Sequence, residues 1–183
     1  MRYRRSNTSG ATYFFTVNLA DRTNSLLTYR IGALREAVRT VKHHHPFHII
    51  AWVVLPEHLH AVWTMPDHDS DYSTRWRLIK RHFSTSIEHV ETTTPSRRRK
   101  NERCIWQRRF WEHQIRDEKD LQNHVDYVHI NPVKHGYCRL ASEWPYSSIH
   151  RAIRQGIVTP DWASEPDLVT PSGESRPQPR RLG

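Results

Sequence analysis

Two apolar runs flank Pro56–Glu57 between His48 and Met65, and few folds accommodate that pattern. His48–Leu55 is almost continuously apolar through Ile49, Ile50, Val53 and Val54, as an interior strand requires. Pro56 and Glu57 make a tight turn, and His58–Met65 reads as the returning strand, so the two segments pair as a β-hairpin. Side chains alternate faces along a strand. Leu59, Ala61, Trp63 and Met65 therefore share one face, and His58 and His60 point the other way.

The flanking segments supply the rest of a sheet and its cover. Tyr13, Phe15, Val17 and Leu19 alternate as a half-buried strand. Leu27, Ile31, Leu34, Val38 and Val41 follow helical spacing and predict one helix ending near His43–Pro46. A second helix is expected from Asp71 to about Val90. Tyr72, Trp76, Ile79, Phe83 and Ile87 lie on one side of it, and Arg75, Arg77, Lys80 and Arg81 elsewhere. Residues 92–103 have no periodicity and predict an exposed loop, followed by a fourth strand over 106–116. A third helix starts at Asp117 as N-cap, buries Leu121, Val125 and Val128, and is expected to end near Ile130, because Asn131 precedes Pro132. The first six elements match the ferredoxin-like split βαββαβ α+β sandwich with an antiparallel sheet, and an extra C-terminal helix follows. The expected organisation is a basic arm over 1–12, a folded domain over 13–150, and an extension over 151–183, disordered from about residue 164 by its proline content.

Composition narrows the partners. Lys and Arg number 28 against 19 Asp and Glu, a formal charge of +9 that favours a polyanion, most commonly nucleic acid. No apolar run is long enough for a membrane span, and the polar N-terminus lacks a secretory signal. Cys104 and Cys138 suit a reducing cytoplasm and form no metal-binding pair.

Three features can carry chemistry, and each has a plainer reading. His58 and His60 sit about 7 Å apart along one strand face and can converge on a divalent ion. They can equally be two surface histidines. Tyr127 lies late in the third helix, with Asn123 and Asn131 one turn to either side. An amide oxygen beside imidazoles suits Mg2+ or Mn2+ better than a closed zinc site. Packing of Tyr127 on the sheet, with Asn131 as a helix stop, accounts for the same residues. Arg97, Arg98, Arg99, Lys100, Arg103, Arg108 and Arg109 face one acid, Glu102, over 94–109, and Arg2, Arg4 and Arg5 flank Tyr3. Such stretches suit contact with unpaired nucleic acid, or are simply solvated.

Pro56-Glu57-His58-Leu59-His60 resembles the histidine–hydrophobic–histidine motif of single-tyrosine transposases of the IS200/IS605 type. Tyr127-Val128-His129-Ile130-Asn131-Pro132-Val133-Lys134-His135-Gly136 is similar to the tyrosine-helix segment of the REP-associated tyrosine transposases. Trp106–His113 with Ile115-Arg116-Asp117, Trp144–Ser148, and Tyr3-Arg4-Arg5 with Thr12–Thr16 resemble further segments of that family. The resemblance runs from about residue 3 to residue 150. Glu57 stands where the family often has Asn, and His135 where a small residue is common; neither is expected to touch the chemistry.

The resemblance implies a metal-dependent single-strand DNA endonuclease and strand transferase. Tyr127 would be the nucleophile, and His58, His60 and the Asn131 amide would hold Mg2+ or Mn2+. Substrates would be single-stranded DNA hairpins, the repetitive extragenic palindromes (REP), with Arg2, Arg4 and Arg5 as candidates for reading a short tag beside the hairpin; the arginine-rich loop has no clear family counterpart, and Arg97, Arg98, Arg99, Lys100, Arg108 and Arg109 are expected DNA contacts by charge alone. It also implies a cytoplasmic, nucleoid-associated protein with no membrane partner, monomeric or else a dimer exchanging the tyrosine helix. Two other readings stay open: a basic module that only binds structured nucleic acid, and a zinc enzyme using the many histidines.

Overall fold

The structure, a computed structural model, describes residues 7–88 and 103–162. Four strands, β1 (Thr12–Asn18), β2 (His48–Val54), β3 (His58–Thr64) and β4 (Trp111–Gln114), form one sheet in the order β2-β3-β1-β4. Every neighbouring pair is antiparallel. This is the ferredoxin-like arrangement read from the sequence. The β2–β3 hairpin closes through the Leu55 N–H bond to the His58 carbonyl, 2.8 Å across Pro56–Glu57.

One face of the sheet carries α1 (Leu26–Tyr29), α2 (Ile31–His44) and α3 (Tyr72–Thr85). The single helix expected over Leu27–Val41 is two. Arg30 leaves the helical region at φ −108°, ψ 35°, so the chain restarts at Ile31 while Leu27, Leu34, Ala37 and Val41 all still reach the core. Asp71 caps α3 by accepting from the Thr74 N–H at 2.9 Å. This helix stops at Thr85, short of residue 90. The Ser86 hydroxyl donates to the Phe83 carbonyl and Thr85 to the Arg81 carbonyl, so side chains take over the last acceptors. Between sheet and helices lies an aromatic core in which Trp63 meets Phe47 at 4.2 Å, Phe15 at 4.6 Å and Trp76 at 4.6 Å between ring centres.

The other face is covered by α4 (Glu118–Lys134), with a 3-10 turn (Ala141–Glu143) and α5 (Ile149–Arg154) beyond it. Its core is smaller: Phe14, Ala51, Val53, Leu55, Val62, Tyr127 and Val128. Asp117 caps α4 as expected, accepting from the Asp120 N–H at 2.8 Å. The helix does not end near Ile130. Pro132 forfeits only one ladder bond in the last turn, and the helix closes at Gly136, at φ 73°. There the Tyr137 N–H bonds the Pro132 carbonyl and the Gly136 N–H bonds the Val133 carbonyl, a Schellman closure.

Strand β4 is shorter than the expected 106–116. Upstream of Trp111 the pairing reduces to one bridge between Leu19 and Trp106, and the Gln107 carbonyl also accepts from Lys80 at 2.9 Å. Helix α5 straddles residue 150, where the folded domain was expected to end. Residues 1–6 of the basic arm, the 94–102 part of the arginine-rich stretch and the tail from residue 164 lie outside the described residues.

Candidate active site

Strand β3 presents His58 and His60 to the face that α4 covers, and both are fully buried. Helix α4 presents Tyr127 and Asn131 to that face one four-residue step apart, and its C-cap His135 continues the row one step further. The two rows run side by side. The Tyr127 ring lies 5.2 Å from His60 and the His135 ring 5.1 Å from His58, so Asn131, between them on its helix, faces the gap between the histidines. The two imidazoles are 4.8 Å apart. Phe14 fills the floor, 5.4 Å from His60 and 5.8 Å from Tyr127.

Each histidine is held by its Nδ1. The His58 Nδ1–H donates to Glu57 Oε1 at 3.1 Å, which turns Nε2 inward as a lone-pair donor. Thr16 Oγ1 lies 2.9 Å from His60 Nδ1 across the β1–β3 register. Burial first, then the charges of His58, His135, Lys134 and Arg22, push the His60 pKa well below its ordinary value, so this ring is neutral at pH 7. Burial would raise the Glu57 carboxyl, but the His58 hydrogen bond and charge outweigh it and hold its pKa at about 2. Arg22, 3.8 Å away, and the Tyr137 hydroxyl, which donates at 3.3 Å, also meet this carboxylate.

Among the described residues, several polar atoms here have no hydrogen-bond partner: His58 Nε2, Tyr127 Oη and both amide atoms of Asn131. Buried polar atoms are ordinarily satisfied. Two imidazoles and an amide oxygen form a donor set that fits a divalent cation of the Mg2+ or Mn2+ kind. Lys134 adds a cation, its Nζ 4.5 Å from the Tyr127 ring centre.

A second group of ligand-type side chains could also hold an ion. Atoms of His113 on β4 and of Asp120 and His124 on α4 lie within 4.8 Å of one another, with His124 one turn before Tyr127. At present they engage each other. His113 Nε2 is 2.8 Å from Asp120 Oδ2, which also accepts from the Arg116 N–H and Nε, while the His124 Nδ1–H donates to the Asp120 carbonyl at 2.8 Å.

Four of these contributors are not legible in the sequence. Glu57 and His135, expected to stand clear of the chemistry, touch His58 directly. Thr16 and Phe14 were visible only as the outward side of an alternating strand, and their roles follow from a cross-strand register that no local pattern encodes. Asn123 is exposed and joins nothing here. Arg108 and Arg109 are exposed ahead of β4, away from the four central residues, and Arg2, Arg4, Arg5, Arg97, Arg98, Arg99 and Lys100 are not described.

A buried tyrosine against paired strand histidines, on an antiparallel ferredoxin-like sheet, matches known transposases over nearly the whole chain. No protein-family model matches. The REP-associated tyrosine transposase of Escherichia coli K12 is 49% identical over 163 residues, covering 89% of this chain and 91% of that protein. A Haemophilus influenzae relative assigned to the same kind of transposase is 44% identical over 167 residues, covering 91% and 95%. A solved REP-associated tyrosine transposase bound to a REP hairpin superposes with a TM-score of 0.83 at 44% identity, covering 97% of this chain and 99% of that one. This chain belongs to the REP-associated tyrosine transposases.

Proposed function

We propose that this chain binds single-stranded DNA hairpins of the REP type and cleaves and rejoins the strand beside them through Tyr127. The observation that carries the reading is the convergence of Tyr127, His58, His60 and Asn131 in one buried cluster with unsatisfied polar atoms aimed inward. The relative of known structure is bound to a REP hairpin, which supports the substrate class.

His58 and His60 through Nε2, and Asn131 through Oδ1, would hold Mg2+ or Mn2+. That ion, when bound, supplies positive charge for the scissile phosphate. The protein's own part is positional. Glu57 and Thr16 fix the imidazole orientations, Phe14 seats the Tyr127 ring, and α4 carries nucleophile and amide on one rigid face. Phenols titrate at about 10 and attack poorly at neutral pH, and the Lys134 ammonium over the ring favours the phenolate. Tyr127 Oη attacks phosphorus, the P–O3′ bond breaks, and its electron pair leaves with the 3′ oxygen, which takes up a proton. The products are a 5′-phosphotyrosine and a free 3′ hydroxyl. The covalent bond conserves the energy of the phosphodiester, so a second 3′ hydroxyl can reverse the step and join strands.

The test is incubation of a REP-type DNA hairpin with Mg2+ or Mn2+, followed by denaturing electrophoresis. A protein–DNA adduct is expected from the wild type and none from Tyr127→Phe, with binding retained by both. If the wild type binds the hairpin but forms no adduct with any divalent ion, the protein is a binding module and the enzymatic reading is lost. Zinc that co-purifies tightly and cannot be exchanged for Mg2+ or Mn2+ would overturn the metal assignment.

A further inference from the structure

On the sheet face opposite Tyr127, α3 and the segment over 103–110 enclose an open groove of about 840 Å3. Its lining among the described residues includes Arg77, Lys80, Arg81, Arg103 and Arg108 and no acidic residue. Some of these cations already have structural work. Arg103 donates to the carbonyls of Ser84, Ile87 and Glu88, clamping the end of α3, and Lys80 bonds the Gln107 carbonyl while lying over the rings of Trp106 and Phe110. Arg77 and Arg81 differ. They are exposed, stand one helical turn apart on the same side, about 6 Å along the axis, and have no acidic partner among the described residues. Ser73 and Thr74 continue the same side toward the start of the helix with hydroxyl donors. Isolated surface arginines need no explanation, but a groove lined by five cations, with no carboxylate among the described residues, builds a positive potential that concentrates polyanions.

We propose that this groove is a second DNA track, which takes the phosphate backbone of the unpaired strand flanking the hairpin. The inference rests on the DNA-binding reading for its polyanion but not on the chemistry of Tyr127. An unpaired strand, rather than duplex, is the occupant for two reasons. The groove is a cleft between a helix and an irregular segment, with Phe110 at its wall, a form suited to one flexible backbone with bases turned to an aromatic edge. It also opens beside β4, the edge strand, so a strand leaving the Tyr127 face reaches it by turning around that edge. Arg77 and Arg81 would meet successive phosphates, with Arg108 opposite them.

The experiment measures affinity by fluorescence anisotropy, across a salt series, for one DNA hairpin with a minimal and with an extended unpaired flank. Wild type should bind the extended form about tenfold more tightly, and Arg77→Glu with Arg81→Glu should erase that gain. Removing two single-strand phosphate contacts should also lower the log–log salt slope by about 1.4. A control double variant, Arg35→Glu with Arg39→Glu on the exposed side of α2, removes equal charge elsewhere and should keep the gain. The proposal is overturned if the groove variant keeps the flank gain, if the control loses as much, or if the flank gives wild type no advantage while the groove variant loses affinity for the minimal hairpin, which would assign the groove to the stem. Adduct formation is scored separately. A flank gain that depends on Arg77 and Arg81 without any adduct would leave the track standing and remove the Tyr127 chemistry.

Discussion

Glu57 does more at the site than its place in a turn announces. Its carboxylate fixes the His58 tautomer and is itself held by Arg22 and Tyr137, so His58 is oriented through a chain of three further side chains. Outer partners of ligating histidines set both ring orientation and basicity. Glu57→Ala should therefore weaken Mn2+ binding about 10- to 100-fold, read by titration of the apo protein against Mn2+ with electron paramagnetic resonance. Glu57→Gln retains an acceptor for the Nδ1–H and should recover part of that loss. Equal affinity in Glu57→Ala and wild type would remove Glu57 from the site. His135 is a different case. Burial, then the nearby His58 charge, lower its pKa to about 4, so at neutral pH it meets His58 as an uncharged ring.

The elements show where periodicity informs and where it stops. Strand alternation and the α3 and α4 repeats were legible because burial imposes them directly: Trp63, Trp76 and Val128 are inside, and their spacing says so. Boundaries were not, because they depend on single backbone groups. Arg30 breaks a helix that the apolar repeat runs straight through. Pro132 reads as a stop, yet the stop lies at Gly136, where the left-handed conformation lets two N–H groups satisfy the Pro132 and Val133 carbonyls. The four central residues were legible largely because a family resemblance joined them; spacing alone left His58 and His60 open between metal ligands and ordinary surface residues. Gly136 gives a clean test of the helix end. A Cβ there would meet nothing within 4 Å, so Gly136→Ala should cost about 1 kcal/mol through backbone conformation alone, measured by urea denaturation. A loss near zero would mean that α4 does not depend on this closure.

At the scale of the whole molecule, acid is expected to undo the α4 side of the sheet in two stages. His129 is buried, with Nε2 3.0 Å from Ser148 Oγ, and burial, then Arg151, lower its pKa to about 4. Unfolded chain takes up that proton at about 6.5, so the stability held by neutral His129 is complete above that pH and is lost as pH falls toward 4. Asp120 follows. Burial opposes its ionisation, but the His113 and Arg116 hydrogen bonds hold its pKa at about 2, so its contribution is present above 3.8 and disappears as pH falls toward 2. His129→Gln should lessen the fall in melting temperature between pH 6.5 and 4, a window it shares with buried His60 and His135, without altering the later decline, as read by differential scanning calorimetry. An unchanged profile would exclude His129 as the first group. The sheet that separates α2 and α3 from α4 also constrains how this chain can change length. Strand β3 has, in effect, a reading frame of two: odd positions hold the aromatic core and even positions hold the imidazoles. Insertion of one residue before His58 that shifted the pairing would carry both histidines beneath Trp76 and bring Leu59, Ala61 and Trp63 round to the tyrosine. Length variation in this strand is therefore tolerable only in pairs, while the connections outside the sheet carry no such parity.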